Sequence, residues 1–264
     1  MLMLEKYFLL FFTLSVLGWL MEVVCKYIEF HRFINRGFLI GPYCPIYGVG
    51  SVLIILLLER FSDAPLELFL MSMIVCGTLE YITSYLMEKI FHARWWDYSQ
   101  KPFNLNGRVC ANTLIPFGLL GLLLVYVIKP FLFGIYDRMP ALLMHILCAG
   151  LLAILIADAS ISTSILGKIR KSANLTGADD TETLTRCVRE KLSQQGVLIR
   201  RAIRAYPYMK LYNRQLLRQM RETRQRRKAE AVLKRRQILK DLDDFEKSVR
   251  QYREKRKSQR ERRS

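Results

Sequence analysis

The sequence predicts an all-α, polytopic integral membrane protein with about five transmembrane helices and a long, basic, helical C-terminal tail. Charge and hydrophobicity are segregated along the chain. Residues 1–167 carry 11 Lys and Arg against 11 Asp and Glu, whereas residues 168–264 carry 30 against 12, which is the whole formal excess of +18. Apolar side chains, 52% of the total, gather in the first part, in runs long enough to cross a bilayer. A soluble domain of ordinary composition does not separate the two so cleanly. The chain therefore divides into a transmembrane domain, 1–167, and a basic cytoplasmic helical tail, 168–264.

A span needs about 20 mostly apolar residues. Five stretches qualify: 7–28, 42–58, 66–87, 111–128 and 141–166. The second is the shortest and opens on Gly and Pro, and the fifth turns polar near its end. The apolar run 131–136 is too short to span and is expected at the interface. The first run lacks a basic leader and a small-residue cleavage site, so it reads as a retained helix. The six cysteines show no regular spacing and read as small apolar packing residues rather than a disulfide framework. Basic residues set the orientation. Arg32, Arg36, Lys89, Arg94, Lys101, Arg108 and the tail share one side, and only Lys6, Arg60, Lys129 and Arg138 lie on the other. The positive-inside bias places the first set in the cytoplasm, so five spans leave the N-terminus outside the cell membrane.

Two connections depart from ordinary polar loops. Residues 35–48 (NRGFLIGPYCPIYG) hold Gly and Pro among aromatic and aliphatic side chains, so they cannot form a plain helix. They are apolar enough to re-enter the membrane, where irregular backbone must be buried in protein or line a wet cavity. The second connection runs from Trp95-Trp96-Asp97-Tyr98-Ser99 to Pro102-Phe103-Asn104-Leu105-Asn106-Gly107-Arg108. Its rings suit the headgroup level. The clustered Asp97, Asn104, Asn106 and Arg108, with Arg36, suggest a cytoplasmic cavity mouth. These two strings resemble the signature segments of the ABC-transporter type IV (CmpB-like) family of bacterial membrane proteins, over about residues 8–165. The resemblance implies a permease-like protein, and supplies no catalytic residues. The chain contains no GxxxxGK[ST], so an ATP-driven role requires a separate ATPase subunit.

Ionisable residues inside spans are functional candidates because their burial in lipid is costly. Glu22 lies on a stripe with Ser15, Gly18 and Lys26, Glu80 on a stripe with Gly77 and Ser84, and Asp158 beside Ser162. They are expected to line a substrate or ion pathway. Pairing of Glu22 with Lys26, and polar contacts between helices, are the structural alternatives. The first and third spans share a rough pattern, Gly18, Glu22, Arg36-Gly37 and Gly48 against Gly77, Glu80, Gly107-Arg108 and Gly118, of the kind internal repeats leave in transporters. Histidines stand far apart, and no metal, cofactor or enzyme motif is found, although Asp97 and Arg108 would suit a headgroup-level enzyme.

Beyond Gly167 a loop near 172–180 precedes a helix capped by Thr181 or Thr183 and running toward Gln195, and Pro207 suits the start of a longer one. Ile238, Leu242, Phe245, Val249 and Tyr252 make a short apolar seam of coiled-coil spacing. Residues 221–236 carry eight basic and two acidic side chains on all faces. Anionic lipid or an acidic protein is the expected partner, ahead of RNA, because aromatic residues for base stacking are sparse there. The alternative to transport is a membrane-anchored interaction protein whose spans tether this tail.

Overall fold

The structure, a computed structural model, describes residues 2–31, 33–35, 37–176 and 180–193, with scattered positions between 198 and 240. It is mostly helical. Helix α1 (Leu2–Phe30) runs through an apolar sequence free of proline and ends where His31 turns left-handed (φ +50°), its N–H bonded to the Tyr27 carbonyl at 2.8 Å. The chain then turns back. Residues 37–44 are irregular, with Leu39, Tyr43 and Cys44 buried, and the Cys44 N–H donates to the Ser15 carbonyl near the middle of α1 (2.8 Å). Only there does α2 (Pro45–Leu58) begin, with Pro45 in the first turn, where its missing N–H costs no hydrogen bond.

After a single 3-10 turn, α3 (Pro65–Phe91) ends as α1 does, at a left-handed residue, His92 (φ +54°). Strands β1 (Ala93–Arg94), β2 (Asn104–Leu105) and β3 (Val109–Cys110) follow, β2 and β3 pairing antiparallel. Helix α4 (Ala111–Leu123), a π-helical segment (Leu124–Ile128) and α5 (Lys129–Tyr136) form one rod. Pro130 has no N–H to return to the Tyr126 carbonyl, and the ladder loosens just before it, Lys129 N–H reaching back to Leu124. The run 131–136 thus extends the fourth span rather than lying apart from it. Helix α6 (Ala141–Leu175) is 35 residues long, and α7 (Thr181–Ser193) and β4 (Lys210–Leu211) complete the first unit.

Among the described residues, four helical segments are long and apolar enough to cross a membrane: Leu2–Phe30, Pro65–Phe91, Ala111–Tyr136 and Ala141–Leu175. Helix α2 is not. Its 14 residues rise only about 21 Å, against about 30 Å of hydrocarbon, because the Gly- and Pro-rich sequence before Pro45 does not continue the helix.

Packing is most extensive between α3 and α4, then between α1 and α2, with α2 against α3 joining the pairs. Small residues permit this approach. A Cβ on Gly48 would stand 2.2 Å from the Phe11 carbonyl oxygen, and one on Gly121 2.2 Å from Ser72 Oγ. An apolar core that includes Leu10, Ile55, Leu68, Leu124 and Met144 joins the helices. One end of the bundle is tied by Lys6 to Asp137, Lys129 to Glu59 and Glu5 to His145. At the other, Phe38 packs on Phe91 and Trp95, and Arg170 donates to the Ile90 carbonyl (2.9 Å). The loops assigned to one side by their basic residues therefore lie together.

Contacts group Met1–Asn213 into one compact unit and Arg214–Ser264 into another. The boundary in space thus falls well after Gly167. Strand β4 pairs antiparallel with β1, Ala93 opposite Leu211 and Arg94 opposite Lys210, and Arg201 donates to the Leu39 carbonyl (2.7 Å). In the second unit the described positions from 229 to 238 are helical and exposed. Pro207 and the apolar seam beyond Ile238 lie outside the described residues.

Candidate functional site

A cavity of about 260 Å³ lies between α1, α2, α3 and α4. Glu22, four residues after Gly18 on α1, enters one wall and accepts a hydrogen bond from Tyr47 Oη at 2.8 Å. Glu80, three residues after Gly77 on α3, enters another. It is 7% exposed and accepts from Tyr98 Oη and Thr113 Oγ1, each at 3.3 Å. Its two donors are neutral hydroxyls, and among the described residues no basic side chain pairs with it.

The two halves of the site are built alike. Cys44 caps α2 and Cys110 caps α4, both in extended backbone, and both helices begin against the middle of the long helix before them. Tyr47 and Thr113 are each the third residue of their helix, and each hydroxyl reaches the glutamate of that preceding helix. The weak pattern in the sequence thus has a counterpart in geometry, although Gly37 and Gly107, both at positive φ, sit in loops of different length.

Asp158 stands elsewhere. Buried on α6, it accepts from the Ile40 and Gly41 N–H groups (2.8 and 2.7 Å), Tyr43 Oη (2.6 Å) and Ser162 Oγ (2.9 Å). It satisfies the donors of the irregular stretch 37–44, and it does not line the cavity. Lys26 pairs with Glu29.

A family model described as "Putative ABC-transporter type IV" matches residues 9–163, more than half of the chain. The chain belongs to that family. No curated protein and no solved structure matches it.

The ABC-transporter type IV match contains the cavity, both glutamates and Asp158, and stops before α7 and β4. It also contains the expected mouth residues. Asp97 accepts from Ser99 N–H (3.1 Å), Ser99 Oγ, Lys210 Nζ (2.6 Å) and Arg94 (3.4 Å). Burial alone would raise its pKa, but the bonds from Lys210 and Ser99 prevail and hold it at about 2. Asn104 closes its own turn, bonding the Lys101 carbonyl (2.7 Å) and the Gly107 N–H (2.9 Å). Asn106, left-handed at φ +54°, donates to Tyr81 Oη (2.9 Å). Arg108 is buried, bridging Ser84 (3.1 Å) and Glu88 (3.0 Å) beneath the rings of Tyr81 and Tyr85. Asp97 and Asn104 knit the loop to itself and to β4, Asn106 and Arg108 tie it to α3, and none lines the cavity; Arg36 lies outside the described residues.

The cavity instead takes Trp96 and Tyr98 from that loop, with Tyr47 from α2 and Phe117 from α4. Sequence reasoning assigned the rings to the headgroup level. The signal that would have found them is the alternation Trp96-Asp97-Tyr98, which in extended backbone turns the rings one way and the carboxylate the other.

Proposed function

We propose that this ABC-transporter type IV protein is a non-enzymatic transport subunit of the cell membrane, with its solute pathway through the cavity between Glu22 and Glu80. Buried Glu80 carries the reading. A carboxylate held in a largely apolar bundle by two hydroxyls retains a strong affinity for a proton or a cation, as a carrier site requires. In this reading 37–58 makes the fifth crossing, part irregular and part helix, as in transporters that start half-helices at the membrane midplane. The N-terminus lies outside and the C-terminus in the cytoplasm, and an ATPase subunit supplies energy if the transport is ATP-driven. Accumulation of a solute panel is to be compared in cells that express or lack the full chain. Glu80→Gln should abolish the difference while the protein stays inserted in the membrane fraction; full activity of that variant would reduce Glu80 to helix packing.

The separate unit Arg214–Ser264, exposed at its described positions 229–238, favours a second role, as an arm for anionic lipid or an acidic partner ahead of RNA. Truncation after Asn213 separates the readings. Retained transport supports the pathway, and loss of all function with insertion intact supports the arm.

A further inference from the structure

Three features of the cavity bear on what it binds. The first is charge. Glu80 is more than nine-tenths buried, and its bonded partners are hydroxyls. The N-terminus of α4, whose third residue is Thr113, contributes about half a positive charge, which offsets only part of a full carboxylate. The second is the wall. Tyr47, Trp96, Tyr98 and Phe117 place four aromatic side chains around a largely apolar space, an arrangement that attracts cations with an apolar body and gives little to hydrated metal ions. Among the described residues no group of three His, Cys, Asp or Glu is placed to hold a metal. The third is access. Helices α1 and α4 flank the cavity without packing closely on each other, and Leu17 and Met21 on its α1 side are exposed on a lipid-length helix.

We infer that the cavity is a binding site for a small organic monocation with an apolar body, a protonated or quaternary amine entering sideways from the bilayer, its charge against Glu80 and its body among the rings. This rests on the cavity being the functional site, and it adds the class of ligand. At about 260 Å³ the space suits one ring and a compact head, near the lower end of small-molecule pockets.

The test is equilibrium binding to the purified full chain in lipid nanodiscs, with protein-free discs as the reference for partitioning. The probes are trimethylphenylammonium and its neutral isostere tert-butylbenzene, alike in shape and differing in charge. The cation should bind at least tenfold tighter than the hydrocarbon, and Glu80→Gln should bring the two together. Phe117→Leu, which leaves the carboxylate in place, should weaken the cation about threefold or more. Equal binding of the two probes to the wild-type chain, or no binding of the cation, overturns the proposal without any variant having to fold. A preference that survives Glu80→Gln overturns the role of Glu80. Because binding is read without flux, selective binding with no change in cellular accumulation would refute the transport reading and leave the ligand class standing.

Discussion

Glu80, Asp158 and Asp97 are three carboxylates in one fold, and their surroundings give them different work. Glu80 has hydroxyl partners and, among the described residues, no paired basic side chain. Asp158 has two backbone amides and two hydroxyls, so its charge is spent on fixing 37–44. Replacing it with Ala leaves two partly buried N–H groups and the buried Tyr43 hydroxyl without their acceptor. Hydrogen bonds to a charged acceptor contribute about 1.5–3 kcal/mol each, so the loss should be about 3 kcal/mol, read as a lowered unfolding midpoint in detergent. Asp97 sits outside the spans and can be followed by pH. Its folded pKa lies below the unfolded value of about 4, so its contribution is complete above that value and is lost as pH falls toward 2. The tie to Lys210 should therefore be insensitive between pH 5 and 8. Peptic cleavage around residue 210 should rise steeply between about pH 4 and pH 2, and Asp97→Asn should remove most of that step.

At the scale of elements, the long helices were legible because a lipid-length apolar run has few other solutions. The spans at 7–28, 66–87 and 141–166 reappear inside α1, α3 and α6. The second span was legible only in part. Its first residues, Pro42, Tyr43 and Cys44, do not join the helix, because Tyr43 and Cys44 spend their polar groups on Asp158 and Ser15 instead. The polar loop residues were misleading for a related reason. Asp97, Asn104, Asn106 and Arg108 form the cluster a mouth would need, yet local bonds to backbone and to α3 consume them, and no sequence pattern reveals where a side chain spends its donors. The β1–β4 ladder was invisible, being two residues a side across more than a hundred residues of chain. It makes the site of a truncation matter. Ending the chain after Gly167 removes β4 and the partner of Asp97, and should lower the unfolding midpoint and expose Arg94 to trypsin. Ending it after Asn213 should do neither.

Taken whole, the first unit is two helix pairs, α1 with the short α2 and α3 with the rod that α4 begins, meeting across one cavity, with α6 packed beside them. The sequence carried this as little more than spaced glycines and two glutamates, because Cys44 and Cys110 act through backbone position, and Tyr47 and Thr113 share only a hydroxyl. In the proposed topology, charge sets the orientation of the chain in the membrane. The segregated basic residues predict that a tag at Ser264 is unreachable from outside intact cells, and labelling there by an impermeant reagent would invert the topology.

Helix α6 rises about 52 Å, far more than about 30 Å of hydrocarbon, so it is long enough for its final turns to stand clear of a bilayer as a stiff post. Such a post transmits angle as well as height. One residue inserted near Lys168 would swing everything downstream by about 100°, carrying β4 away from β1, while four would bring it back to within about 40° at a cost of about 6 Å in height. The ladder is then a phase gauge for the chain between α6 and β4, because β1 shares a loop with Trp96 and Tyr98.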